Sequence, residues 1–189
     1  MQDKEDKMKI GFTGTMSVGK TTLVNALKEV PEFKDYKFAT ERSAYLSSLG
    51  IPLNHETTIE GQTIFLAERV SELMQPKIIT DRTILDVIAF TKCANKVSVI
   101  DSDSFEKYAS RFIKQYDHIF YISPKGIDIE DNGVRETDSS YRKEIDETIQ
   151  KLLLKYHPEA YDANDVYCPY KLKGTTEERI VQIMKVIYS

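Results

Sequence analysis

The sequence predicts an α/β protein built on a parallel sheet with helices on both faces. Two observations carry that prediction. Short apolar runs alternate along the chain with longer stretches whose apolar residues recur at helical spacing. At the first junction of such a run with such a stretch lies Gly14-Thr15-Met16-Ser17-Val18-Gly19-Lys20-Thr21, which reads G-x-x-x-x-G-K-[ST]. A strand that delivers the chain to a Gly-rich turn, followed by a helix, is the setting this P-loop pattern needs. The backbone N–H groups of the turn wrap a phosphate, and the helix points its positive dipole end at the same anion.

The elements follow in order. Met8 to Thr13 is an apolar strand, and the helix after the loop carries Leu23, Val24, Ala26, Leu27 and Val30 until Pro31 stops it. Tyr36 to Thr40 is a short strand ending at Glu41-Arg42. A polar connection holding Gly50-Ile51-Pro52 leads to a long helix with Ile59, Thr63, Leu66, Val70 and Leu73 on one face, ended by Pro76. Ile78-Ile79-Thr80 is the third strand, closed by Asp81-Arg82. Thr83 to Lys92 is apolar nearly all round and reads as a buried helix. Asp101 to Ser104 offers N-caps for a helix bearing Phe105, Tyr108, Ala109, Phe112, Ile113 and Tyr116.

His118 to Ile122 is a strand. Residues from about 124 to 140 are polar and acidic and read as a mobile lid, and a helix from about Ser139 to Tyr156 buries Tyr141, Ile145, Ile149 and Leu152. Asp165 to Tyr170 is the last strand expected. Pro169 removes a ladder donor and sends that strand to a sheet edge. Thr175 and Glu178 form a capping box for the closing helix. With no repeat or composition break, 1–189 reads as one domain.

Composition excludes several classes. The 189 residues are 41% apolar and 30% charged, with a net charge of −4, so there is no global basic footprint for duplex DNA. Cys93 and Cys168 stand far apart without a CxxC and read as small buried hydrophobes in a reducing compartment. The charged first eight residues lack the apolar core of a signal peptide, and no apolar run approaches a membrane span. The expectation is a soluble cytoplasmic protein, in the host cytoplasm if phage-encoded, without a membrane partner and open to homodimer formation.

In parallel sheets of this kind ligands bind beyond the carboxyl ends of the strands. That rule gathers the P-loop, Glu41-Arg42 and Asp81-Arg82 at one place. Gly14, Ser17, Val18, Gly19, Lys20, Thr21 and Thr22 are the expected nucleotide-binding set, with Lys20 on the β/γ-phosphates of ATP. Thr21 and Asp81 are the expected Mg²⁺ pair, Asp81 being equally suited to cap the following helix. Arg82 can meet a phosphoryl group in flight, or pair with Asp86 one turn on, which would orient it. Glu41 can accept or orient the proton of an attacking hydroxyl, and Arg42 can bind an acceptor that already carries phosphate; a surface acid–base pair is the plain alternative. Arg135 reads either as a lid arginine closing over the triphosphate or as a solvated loop residue. Gln62 reads as an amide for an acceptor base or as core-edge packing.

With these residues in place the chain resembles the small P-loop kinases related to nucleoside and nucleotide kinases. It is most similar to the branch of ribosylnicotinamide kinase-like domains and small phage-encoded ATP-binding proteins. The resemblance rests on Gly14 to Thr21, Glu41-Arg42, Asp81-Arg82, Asp131 to Arg135 and Lys173-Gly174-Thr175, in family order. It implies a three-layer fold with five parallel strands in the order 2-3-1-4-5 and a lid carrying Arg135. It also implies an adenine pocket built partly by Lys171 to Thr175, including Lys173 and Gly174. The implied activity is Mg²⁺-dependent transfer of the γ-phosphoryl of ATP to a nucleoside or nucleotide. A hydroxymethylated base within phage DNA and a non-transferase ATPase switch are the alternatives.

Overall fold

The computed structural model describes residues 7–40, 42–125, 139–158, 168 and 170–188. Five parallel strands form one sheet: β1 (Met8–Thr13), β2 (Lys37–Ala39), β3 (Lys77–Thr80), β4 (His118–Ile122) and β5 (Lys171–Leu172), in the order β2-β3-β1-β4-β5. This is the predicted order. Parallel neighbours require crossovers, which among the described residues six helices provide: α1 (Lys20–Leu27), α2 (Ser43–Ser48), α3 (Ile59–Glu72), α4 (Ile84–Lys92), α5 (Val99–Ala109) and α6 (Ser139–Tyr156); α7 (Thr176–Ile187) follows the last strand.

The two-residue period of the strands splits the core into two layers. Ile10, Phe12, Phe120 and Ile122 point to the face covered by α1 and α7, where they meet Leu23, Leu27 and Ile183. Ile119 and Tyr121 point to the opposite face, against α4 and α6. There α4 is buried over nearly its whole length, as its apolar composition predicts. β1, which carries the P-loop, lies in the middle of the sheet. The loop therefore rests on a strand paired on both sides.

Three details depart from expectation. The helix placed after Asp101 begins at Val99, capped by Ser98, whose hydroxyl accepts the Asp101 N–H. Its regular part ends at Ala109, and Tyr108 is exposed rather than on the buried stripe. Exposed Val99 and Ile100 in its first turn blur the apolar period there. The last strand is only Lys171–Leu172, three residues beyond Cys168; it does lie at the sheet edge. Residues 165–167 and 169 lie outside the described residues, as does most of the proposed lid, 126–138. Finally, α3 is rotated relative to its predicted face: Thr63 is exposed, whereas Gln62 and Arg69 are buried beside Leu66.

Among the described residues, no helix is long and apolar enough to cross a membrane. Both cysteines are free, Cys93 buried and Cys168 half-buried.

Candidate functional site

The P-loop turns sharply as it leaves β1. Gly14 has φ +148°, and a Cβ there would stand 2.5 Å from the Ile122 carbonyl oxygen, so only glycine lets the loop pass β4 this closely. Met16 and Val18 are buried and pin the loop from beneath. Ser17 and Gly19 both adopt left-handed backbone, with φ 57° and 83°. Lys20 is the first residue of α1 and is buried, its Nζ donating to the carbonyls of Gly14 at 2.6 Å and Thr15 at 2.7 Å. The ammonium is thus drawn back across the loop it would serve.

The ends of β2 and β3 bring the acids in. The Asp81 N–H donates to the Ala39 carbonyl at 2.9 Å, which fixes the residue just past β3. Its side chain is buried, and Oδ2 accepts a 2.5 Å hydrogen bond from the Thr21 hydroxyl. Two hard oxygen ligands thus stand together at the foot of α1. They suit Mg²⁺, which is commonly held by one or two protein oxygens plus the phosphates of its substrate. Among the described residues there is no cluster of three His, Cys, Asp or Glu that could hold a metal unaided.

Asp86 is where sequence and structure part. Its carboxylate does not orient Arg82. Oδ2 accepts from the Thr83 N–H at 2.8 Å and the Thr83 hydroxyl at 2.9 Å, closing a capping box at the start of α4. Oδ1 lies 3.4 Å from the Gly14 N–H and accepts from it, so the same fully buried acid ties the P-loop to β3 and α4. The Arg82 guanidinium instead lies 5.0 Å above the Phe90 ring, a cation–π contact.

Two cavities open on this end of the sheet. The first, about 890 Å³ and open to solvent, is lined by residues 16–22, Asp81, Arg82, residues 174–176 and Arg179. The second, about 580 Å³, is lined by Ser43, Leu53, Asn54, Gln62, Phe65, Asp86, Val87 and Phe90, and again by Met16 and Arg82. Met16 and Arg82 stand in the wall between them. Gln62 is buried in the second cavity, its amide nitrogen donating to the Thr57 hydroxyl at 2.9 Å.

The predicted residues are therefore distributed unevenly. Ser17 to Thr22, Asp81, Arg82 and Gly174 surround the first cavity, with Gly14 turning the chain beneath it. Gln62 and Arg82 share the second. Arg42 is half-exposed, stacked 4.5 Å over Tyr45 and paired with Glu68 at 3.1 Å; it lines neither cavity. Lys173 is exposed, its backbone exchanging hydrogen bonds with the Gln182 amide. Glu41 and Arg135 lie outside the described residues.

A family model described as AAA domain matches residues 9–179, nearly the whole chain. The chain belongs to the AAA domain family. Solved structures share this AAA domain's fold at low identity. Deoxyadenosine kinase from M. mycoides, solved with dCMP and dCDP, superposes with a TM-score of 0.62 at 18% identity, covering 96% of this chain and 98% of that one. NadR protein in complex with NAD and AMP-PNP gives 0.70 at 16% identity over 97% of this chain. NadR in complex with NR gives 0.69 at 18% over 95%. The AAA domain spans about half of the NadR chains, 50% and 51%. No curated protein matches it. The fold is the one seen in those solved structures.

Sequence reasoning missed the roles of Met16 between the cavities and of Arg179 on α7, and read Asp86 as the partner of Arg82 rather than as the tie beneath the loop. Arg179 had a readable signal. It falls four residues before Ile183 on the buried stripe of an amphipathic helix, a phase at which an apolar residue is expected.

Proposed function

We propose that this AAA domain is a kinase that transfers the γ-phosphoryl of ATP to a nucleoside or nucleotide acceptor. One observation carries the reading: the P-loop cavity and the apolar cavity share Met16 and Arg82 as a common wall. A nucleotide hydrolase needs only the first cavity. The second has Phe65 and Phe90 as aromatic surface and Gln62 and Asn54 as amides, a lining suited to a planar heterocycle with hydrogen-bonding edges. The kinase and the NadR complexes described above, with dCMP, NR and AMP-PNP as ligands, support the same reading.

In this mechanism the P-loop N–H groups and Lys20 hold the triphosphate of the donor. Lys20 exchanges its contacts with Gly14 and Thr15 for phosphate oxygens. Thr21 and Asp81 would hold Mg²⁺, which would supply neutralisation of the phosphate charge. The acceptor lies in the apolar cavity with its base toward Gln62 and its hydroxyl toward Arg82. The bond between the γ-phosphorus and the β-γ bridging oxygen breaks as the acceptor oxygen bonds to phosphorus. The hydroxyl proton leaves to Glu41, and ADP departs. Arg82, steered by Phe90, compensates the charge spread over the phosphoryl oxygens. Arg135 closes over the donor from the lid. Arg42 serves a phosphate already on the acceptor, for which it must leave Glu68.

The deciding experiment incubates the protein and Mg²⁺ with γ-labelled ATP against nucleosides, nucleoside monophosphates, ribosylnicotinamide and hydroxymethylated DNA. Label is expected on a small-molecule acceptor, at a rate well above acceptor-free hydrolysis. Label on DNA alone would transfer the reading to a base within a polymer. Hydrolysis indifferent to every acceptor would leave an ATPase.

A further inference from the structure

Arg179 enters the P-loop cavity from the opposite end of the chain. It lies on the first turn of α7, which starts at a capping box: the Thr175 N–H donates to Glu178 Oε2 at 2.7 Å, and the Thr175 hydroxyl accepts the Glu178 N–H at 3.3 Å. The Glu178 carboxylate is therefore engaged at the cap. Arg179 is 9% exposed, and its Nη1 donates to the Val18 carbonyl at 3.0 Å.

The location of that carbonyl matters. It stands between the two left-handed residues of the loop, Ser17 and Gly19. Its peptide partner is the N–H of Gly19, which lines the phosphate cavity. In a trans peptide the C=O and N–H point in opposite directions. Holding the Val18 oxygen therefore sets the direction of the Gly19 N–H.

Among the described residues nothing answers the charge of Arg179: it forms no ion pair with an acid, and its buried Nε has no acceptor. Burial pulls the guanidinium below its ordinary pKa, in the direction expected for a desolvated cation. A buried charge without a partner costs stability unless something compensates it. Lys20, Thr21 and Arg179 line the same cavity, and the ligand class that fits the P-loop is a polyphosphate.

We propose that Arg179 is a positioning residue of the donor site: it holds the Val18–Gly19 peptide in its phosphate-binding orientation and is the buried countercharge of a bound polyphosphate. The proposal rests on the P-loop cavity binding a nucleoside triphosphate. The base need not be read by Arg179, so the same residue should strengthen inorganic tripolyphosphate.

The test is calorimetric titration of the full chain with Mg·ATP and with Mg·tripolyphosphate, beside thermal melting without ligand. Arg179→Met is expected to weaken both ligands about tenfold or more, because a charged hydrogen-bonding group is lost. Without ligand, its melting temperature should equal or exceed that of the wild type, since an uncompensated buried cation has been removed. Arg179→Lys should regain part of the affinity through charge alone. In steady-state turnover the donor KM should rise while the acceptor KM stays put. Unchanged affinity in Arg179→Met, or a melting temperature below wild type, overturns the proposal and leaves a structural arginine. Arg179→Lys binding as weakly as Arg179→Met overturns the countercharge. A wild-type protein that binds neither probe defeats the donor-site reading as well, and that result is distinct from the others.

Discussion

The two cavities are built by opposite strategies. The P-loop cavity takes most of its wall from one unbroken run, residues 16–22, finished by the strand end at Asp81 and the start of α7. The apolar cavity is assembled from single side chains on α2, α3, α4 and the connection between α2 and α3. The difference follows from what each binds under the proposed function. A polyphosphate presents the same oxygens in every nucleotide, so one backbone turn at a helix N-terminus recognises it. An acceptor is distinguished by its ring and its polar edge, which only side chains placed from several directions can read. The cavity wall that both share is therefore the place where the two designs must be held in register.

Asp86 does that holding, and its loss should produce the largest effect. Replacing it with Ala leaves the Thr83 N–H and the Gly14 N–H without their acceptor in a fully buried setting. The expected loss is about 3 kcal/mol in urea unfolding, the sum of a helix cap and a stranded buried donor. Donor and acceptor KM should both rise. A loss of stability with only one KM affected would mean that the two cavities are not coupled through this acid.

How much of this was legible in the sequence follows the same division. The P-loop and the strand-end Asp81-Arg82 could be read because each is contiguous, and the parallel sheet because it follows from the alternation of elements; the strand order came from the family resemblance alone. Asp86 was visible as a residue but not as a role: i,i+4 spacing to Arg82 and N3 spacing to Thr83 coincide in the sequence, and only the backbone direction after β3 separates them. Arg69 hid because the α3 face was judged by its apolar residues, whereas it stands four residues from the buried Leu73. β5 was placed too early because two residues are too few to show a period. A polar residue at an apolar phase was the common unread signal, at Arg69 and Arg179.

A third region tests whether the cavities are insulated from the helical layer below them. Glu106 on α5 accepts from Lys92 of α4 at 2.7 Å, and from Lys155 at 2.7 Å and Tyr156 at 2.8 Å, both of α6. Burial pushes its carboxyl up, but the hydrogen bonds from Lys155, Lys92 and Tyr156 outweigh that and bring it to about 2. A carboxyl lower in the folded state than its unfolded value of 4.5 adds stability that is complete above that value. That stability drains away as pH falls from there toward 2. Glu106→Gln should cost about 2 kcal/mol at neutral pH, the scale of a charged hydrogen-bonding group. It should also flatten the acid limb of the stability profile between those two values. Neither KM should move. A shifted donor KM would show that the layer beneath the sheet sets the P-loop geometry.

The smallest effect should be the most selective. Gln62 is buried, spends one amide hydrogen on the Thr57 hydroxyl, and lines the apolar cavity without touching the P-loop cavity. Leucine fills nearly the same volume but offers no hydrogen bond to an acceptor's edge. Under the proposed function, Gln62→Leu should raise the acceptor KM about tenfold, the usual worth of one specific polar contact, with the donor KM unchanged. The effect should differ between acceptors according to the polar pattern of their rings, because a lost amide discriminates only among ligands that used it. A uniform rise for every acceptor would instead trace to the Thr57 contact and the shape of α3. The donor KM is the sharper reading of the two. If it rises as well, the wall at Met16 and Arg82 transmits changes from the acceptor cavity to the phosphate cradle, and the two designs are one site rather than two that share a wall.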